Sequence, residues 1–173
     1  MDALQCIAER RSARSFLARP VAREQIEQLL AAAAHAPSAG GAAPWHLVVV
    51  QERATLERIG RAHPSAEMAA GAPLGIAICA DPGRERVAGF WAQDCAAAAE
   101  NVLLAAHALG LGAVWTGIYP VRNWVLRFRQ ILELPTEIVP VALVLVGYPA
   151  RPPVPRAITL EGRVHRERWG ERI

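Results

Sequence analysis

The chain has 173 residues, 53% hydrophobic and 20% charged, a composition that suits one globular domain with a sizeable core and excludes a disordered chain. No apolar run reaches the roughly 18 to 20 uncharged residues of a bilayer span, and Asp2, Glu9, Arg10 and Arg11 leave no room for the apolar core of a signal peptide. The net charge is +3 and all 19 basic residues are arginine, but most alternate with glutamate, as in Arg84-Glu85-Arg86, so neither a nucleic-acid track nor a membrane surface is expected.

Asp2 to Arg10 reads as a short amphipathic helix with Leu4, Ile7 and Ala8 on one side. It runs into Arg10-Arg11-Ser12-Ala13-Arg14-Ser15-Phe16. If this segment is extended, Arg10, Ser12 and Arg14 share a side; if it is helical, Arg10 and Arg14 still share a face. Either way guanidinium groups and a hydroxyl converge with no acid between them, the donor set that a phosphate dianion requires. A solvated basic turn is the plainer reading of the same residues. Pro20 breaks the chain, and Arg23 to Ala36 forms a second helix with Ile26, Leu29, Leu30 and Ala33 as its buried stripe. Ala36 to Trp45, rich in small residues and holding Pro37 and Pro44, is a loop whose backbone can lie flat against a neighbour.

His46 to Val50 is read as a buried strand, Arg53 to Ala62 as a helix, and Leu74 to Ala80 as a second buried strand. Gln93 to Leu109 is a long helix without proline or glycine. At 3.6 residues per turn its polar positions fall in two adjacent columns, Gln93, Glu100 and His107 beside Asp94 and Asn101, and the rest is covered. Ala96 to Ala99 lets another helix approach closely, so a core shared with a second subunit is expected. Leu109-Gly110-Leu111-Gly112 stops this helix, and a strand follows over Ala113 to Tyr119. Val121 to Leu132 is a further helix and Ile138 to Tyr148 the most apolar strand. From Pro149 to Ile173 four prolines are mixed with Val154, Ile158, Leu160 and Trp169, the composition of a tail that wraps a surface.

The five histidines show no metal-ligand spacing and there is no C-x-x-C, so no metal site is expected. Cys6, Cys79 and Cys95 are odd in number and set among apolar residues, as reduced core thiols of a cytoplasmic protein would be. Gly110-Leu111-Gly112 follows a helix and precedes a strand, the reverse of a dinucleotide fingerprint. With neither a nucleophile motif nor a paired acid and base, any chemistry falls to a cofactor.

In the same order and across the whole chain, several stretches resemble the FMN-dependent nitroreductases, in particular their small members. They are Arg10 to Phe16, Ala36-Pro37-Ser38-Ala39, Pro44-Trp45, Asp94 with Ala98 to Ala106, Gly110 to Trp115, Val146-Gly147-Tyr148-Pro149, Pro155-Arg156 and His165 to Trp169. The resemblance implies an α+β fold, a mixed but mostly antiparallel sheet flanked by helices. It implies a single domain over 1–173 in a homodimer, with the 149–173 tail wrapping the partner and sites at the subunit interface. Arg10, Arg11, Ser12 and Arg14 would hold the FMN phosphate and reach the ribityl and pyrimidine portion, joined by Arg156 from the tail. Pro37, Ser38 and Ala39 would form the loop that the partner subunit lays against the isoalloxazine ring. Trp115, Thr116 and Gly117 would pass beside the ring, with a backbone N–H near Gly117 facing N5. No side chain is assigned a catalytic role.

The activity so implied is hydride transfer from NADH or NADPH to N5, then ping-pong reduction of an electron-poor acceptor, a nitroaromatic or a quinone. The chain departs from the family where Gly41 and Ala43 stand in place of the common loop Asn and Gln, where a polar residue before the second strand is missing and Ala66 stands near its place beside Ser65 and Glu67, and where Ala157 stands in place of a frequent Lys. Three other readings use the same residues: a flavin-dependent dehalogenase or flavin-remodelling enzyme of this fold, a flavin-binding protein without turnover, and an arginine-rich nucleic-acid binder.

Overall fold

The computed structural model describes residues 1–152, 154 and 158–172. Its helices are α1 (Ala3–Glu9), α2 (Arg23–Ala34), α3 (Arg53–Ala62), α4 (Trp91–Ala108) and α5 (Arg122–Ile131), and its strands β1 (Trp45–Val50), β2 (Leu74–Ala80), β3 (Gly112–Gly117) and β4 (Val139–Gly147). Every helix and strand expected from the periodicity is present, with ends moved by at most about two residues, the usual scatter of helix and strand ends. Periodicity does not reveal the 3-10 stretches Ala39–Gly41, Pro64–Gly71 and Pro82–Arg84, of which Pro64–Gly71 is the longest. It buries Ala66 and Ala69, which eclipse one another at three residues per turn and leave no amphipathic signal.

The strands form one sheet in the order β1-β2-β4-β3, and each neighbouring pair is antiparallel. An isolated parallel bridge between Ser12 and Ala113 lays the N-terminal segment beside β3 without adding a strand, so the sheet itself is antiparallel and the fold α+β. Both faces are covered. Leu74, Ile76, Ile78 and Ala80 of β2, with Ala142, Val144 and Val146 of β4, pack toward α2 and α4. Ala77 and Cys79, with Leu143 and Leu145, pack toward α3 and α5. That is why β2 and β4 read as continuous apolar runs and not as alternating ones. β1 differs from the expected buried strand. It has a partner on one side only, and His46 and Val49 are exposed.

Helix α4 lies on one sheet face, and the chain's own α1 and α2 take part of its remaining surface. Asn101 Nδ2 donates to Ala32 O of α2 at 3.0 Å and Cys6 Sγ of α1 to Leu104 O at 3.2 Å. Leu4 of α1 is still 80% exposed, and Trp169 in the tail is 91% exposed. Among the described residues no helix is long and apolar enough to cross a membrane.

The N-terminal segment is stapled between two strand ends. Ala13 N–H donates to Ala113 O (2.9 Å), Leu17 N–H to Tyr148 O (2.8 Å), and Ala150 N–H to Ser15 O (2.9 Å). Gly112 makes the close approach possible, because a Cβ there would stand 2.6 Å from the Cβ of Ala13.

Candidate functional site

Three pieces of the fold carry the residues singled out in the sequence. The first is the segment after α1. It is extended, and with Arg151, Pro152 and Val154 of the tail it encloses a concavity of about 510 Å³ lined by Arg11, Ser12, Ala13, Arg14 and Ser15. Consecutive residues line it, so strict alternation does not hold. The segment touches β3 through a single bridge, and no continuous ladder enforces its pleat. Arg10 is not among the lining residues. Its Nε lies 3.2 Å from Glu100 Oε1 of α4, an ion contact without the alignment of a hydrogen bond. The acid that meets it is therefore remote in sequence. Arg11 lines the concavity while its Nη1 donates to Ala8 O and Arg10 O at 2.7 and 2.6 Å, which sets the direction of the guanidinium. Three guanidinium groups, two hydroxyls and no carboxylate make this lining a phosphate donor set. Arg156 lies outside the described residues.

The second piece is the loop between α2 and β1. Gly40 and Gly41 have φ of 60° and 67°, and Ala43 is left-handed at 45°. Ser38 Oγ accepts from Ala43 N–H at 2.9 Å, so its hydroxyl shapes its own loop. Ala39 N–H donates to Asp94 Oδ1 at 3.0 Å, and Arg86 Nη1 to Gly40 O at 2.7 Å. Asp94, in the first turn of α4, is 5% exposed, and its Oδ2 has no partner among the described residues. None of Pro37, Ser38 and Ala39 lines the arginine concavity of the same chain.

The third piece is the outer edge of β3. Ile118 N–H bonds Val141 O at 2.9 Å. By the alternation of an antiparallel pair, Ala113, Trp115 and Gly117 then turn their own N–H and C=O groups away from β4. Ala113 O is taken by Ala13 and Gly117 O by the His63 ring, and the Gly117 N–H, like the backbone groups of Trp115, is directed off the edge. Ala113 and Gly117 are four residues apart, about 13 Å along a strand. Trp115 is half-buried against the α2–α4 side. Thr116 is buried, and its Oγ1 donates to Ser65 O at 3.1 Å.

His63 and Asp94 are the residues that sequence reasoning missed as site builders. Asp94 falls in one of the two polar columns of α4, so the pattern held no signal of its burial. For His63 the signal was the His-Pro-Ser run at the end of α3. His63 is 2% exposed, with Nε2 at 3.0 Å from Gly117 O and Nδ1 at 3.0 Å from the Ser65 amide. An amide N–H can only donate, so Nδ1 accepts and Nε2 carries the proton. Burial holds its pKa below the ordinary imidazole value, partly offset by the bond to Gly117. Burial also pushes the Cys79 and Cys95 thiols up to about 12, so neither is a thiolate at neutral pH. Among the described residues no group of side chains could hold a metal ion.

The Nitroreductase family model matches residues 7–63 and 61–148. A protein of Methanothermobacter thermautotrophicus, provisionally named NADH dehydrogenase/NAD(P)H nitroreductase, is 44% identical over 98% of this chain and 88% of its own length. The crystal structure of a Bacteroides thetaiotaomicron protein of the same provisional name superposes with a TM-score of 0.92, at 39% identity, over 96% of this chain and 98% of that one. A provisionally named nitroreductase from Desulfovibrio desulfuricans, solved in complex with FMN, superposes with a TM-score of 0.84 at 26% identity, over 97% and 98% of the two chains.

Proposed function

The chain belongs to the nitroreductase family, and from that membership we propose that it is an FMN-dependent oxidoreductase using NADH or NADPH to reduce an electron-poor small molecule. The observation that carries the reading is the outer edge of β3. An all-cationic concavity stands at its start, and an outward N–H stands at its end, about 13 Å on. Phosphate fits the first and a ring nitrogen lone pair fits the second, at the two ends of one extended ligand.

Arg11, Arg14 and Arg151 would neutralise and fork the phosphate, with the Ser12 hydroxyl as a neutral donor. Arg10, drawn to Glu100, would fix the turn out of α1 and so the place of Arg11. The Gly117 N–H would orient the ring edge. The loop of Pro37, Ser38 and Ala39, held by Asp94, would cover the ring of the partner subunit's site. The bound flavin would supply two-electron chemistry between a nicotinamide donor and a nitroaromatic or quinone acceptor, in ping-pong order. The protein's contribution is position and electrostatics.

A homodimer is supported by the apolar side chains the single chain leaves in water: Leu4 and Ile7 of α1, and Ile158, Leu160 and Trp169 of the tail. Three unpaired thiols support a cytoplasmic location.

The test is the colour of the purified protein, the mass of the flavin it releases, and oxidation of NADH or NADPH with a nitroaromatic acceptor. Parallel double-reciprocal lines are expected. A colourless protein that takes up no added FMN refutes the reading, and a yellow protein inert to both nicotinamides makes it a flavin-binding protein without turnover.

A further inference from the structure

We propose that His63 is a positioning residue: as its neutral Nε2–H tautomer it fixes the Gly117 carbonyl, and with it the direction in which the Gly117 N–H meets the flavin N5. The inference rests on the flavin reading above.

A buried imidazole is costly unless its nitrogens are bonded, and a phenyl ring would fill the same space without that cost. Here both nitrogens are used, and in one closed circuit. Ser65 N–H donates to Nδ1, Nε2–H donates to Gly117 O, and Thr116 Oγ1 donates back to Ser65 O. The turn from His63 to Ser65 therefore grips the last two residues of β3. The imidazole is itself held by Trp124 of α5, at 3.9 Å between ring centroids, and by the edge of Phe128 at 6.3 Å. Gly117 has no side chain to pack and ends the strand. Its peptide with Ile118 is held on the inner side by Val141 O, which accepts the Ile118 N–H, and on the outer side, among the described residues, by His63 alone, at the Gly117 carbonyl.

The consequence lies in which flavin state the donor favours. Oxidised N5 offers a lone pair to an N–H, whereas reduced N5 carries its own hydrogen. A donor held in place thus favours the oxidised ring, and a donor set loose favours it less. The same circuit could not survive protonation of His63, because Nδ1–H would then face the Ser65 N–H.

The experiment is His63→Phe in FMN-loaded protein, with the two-electron midpoint potential and the visible spectrum as readouts. Phenylalanine keeps the contact with Trp124 and removes both hydrogen bonds. The ratio of oxidised to reduced flavin affinity should fall about tenfold, a positive shift of about 30 mV for a two-electron couple. His63→Gln, which can still donate to Gly117 O, should recover part of it. A folded, yellow His63→Phe protein whose ratio is within about twofold of wild type overturns the proposal and leaves the flavin reading intact. Wild-type protein that binds no FMN overturns both. Should neither variant fold, nitrogen NMR of wild-type His63 decides: a proton on Nε2 from pH 8 to pH 6 supports the proposal, and one on Nδ1 overturns it.

Discussion

Replacing Gly112 with alanine sets a methyl group 2.6 Å from the Cβ of Ala13 and 3.2 Å from the Cβ of Pro149. Ordinary carbon contacts lie near 3.5 to 4.0 Å, so the overlap with Ala13 is about 1 Å. Neither neighbour can yield by turning a flexible side chain. Both are tied through backbone, Ala13 N–H to Ala113 O at 2.9 Å and Ala150 N–H to Ser15 O at 2.9 Å. The segment carrying Arg11, Ser12 and Arg14 must therefore lift from β3. Overpacking of this kind costs about 1–3 kcal/mol, and loosening the Ala13 bond adds about 1 kcal/mol. In a domain of this size each kcal/mol lowers Tm by about 2–4 °C. FMN affinity should fall with stability, by about 1–3 kcal/mol, since charge-assisted bonds to the phosphate depend on that segment. Urea unfolding and a fluorescence titration of apo-protein with FMN measure the two effects. Ala13→Gly in the same chain removes the nearer clash and should restore at least half of each. Gly71→Ala, where a Cβ meets nothing within 4 Å, is the control and should change little. A Gly112→Ala protein with wild-type stability and wild-type FMN affinity would refute the reasoning, as would failure of Ala13→Gly to compensate.

Asp94→Ala leaves the Ala39 N–H without its carboxylate and should cost about 1.5–3 kcal/mol; proteolysis confined to residues 37–44 would report the freed loop, and an unchanged cleavage rate would count against the anchor. His63 is neutral in the folded state and its pKa is lowered by burial, so its contribution is complete above the unfolded imidazole pKa of about 6.5 and declines as pH falls below it. Stability should drop by up to about 1.4 kcal/mol per pH unit from this group, and the slope should be shallower in His63→Phe across pH 6.5 to 5.5; identical slopes would show that His63 does not titrate as argued. If sites are shared between chains, Arg14→Glu and a bulky substitution at Ser38, each inactive by itself, should regain about one quarter of wild-type activity after refolding together. Mixed dimers confirmed by mass but inactive would mean that each site is built from one chain.

The type and order of the elements could be read from the sequence because periodicity is local. Ile26, Leu29 and Ala33 recur at helical spacing, and the unbroken apolar runs of β2 and β4 already indicate strands covered on two faces. The arginine cluster was legible for the same reason, since Arg11, Ser12 and Arg14 are neighbours in the chain. What the cluster faces was not. Glu100 draws Arg10 away through a contact that depends on α1 lying across α4, and nothing near Arg10 in the sequence marks it. Likewise Ala39 and Asp94 are 55 residues apart, and His63 and Gly117 are 54 apart. The first pair meets because α4 packs beside the loop that leads into β1, and the second because the order β1-β2-β4-β3 puts β3 at an edge, where every second residue has backbone groups with no strand to receive them. Side-chain pattern states which residues seek burial, whereas an edge peptide takes its partner from whichever side chain the packed layers carry past it, and only the tertiary structure decides that.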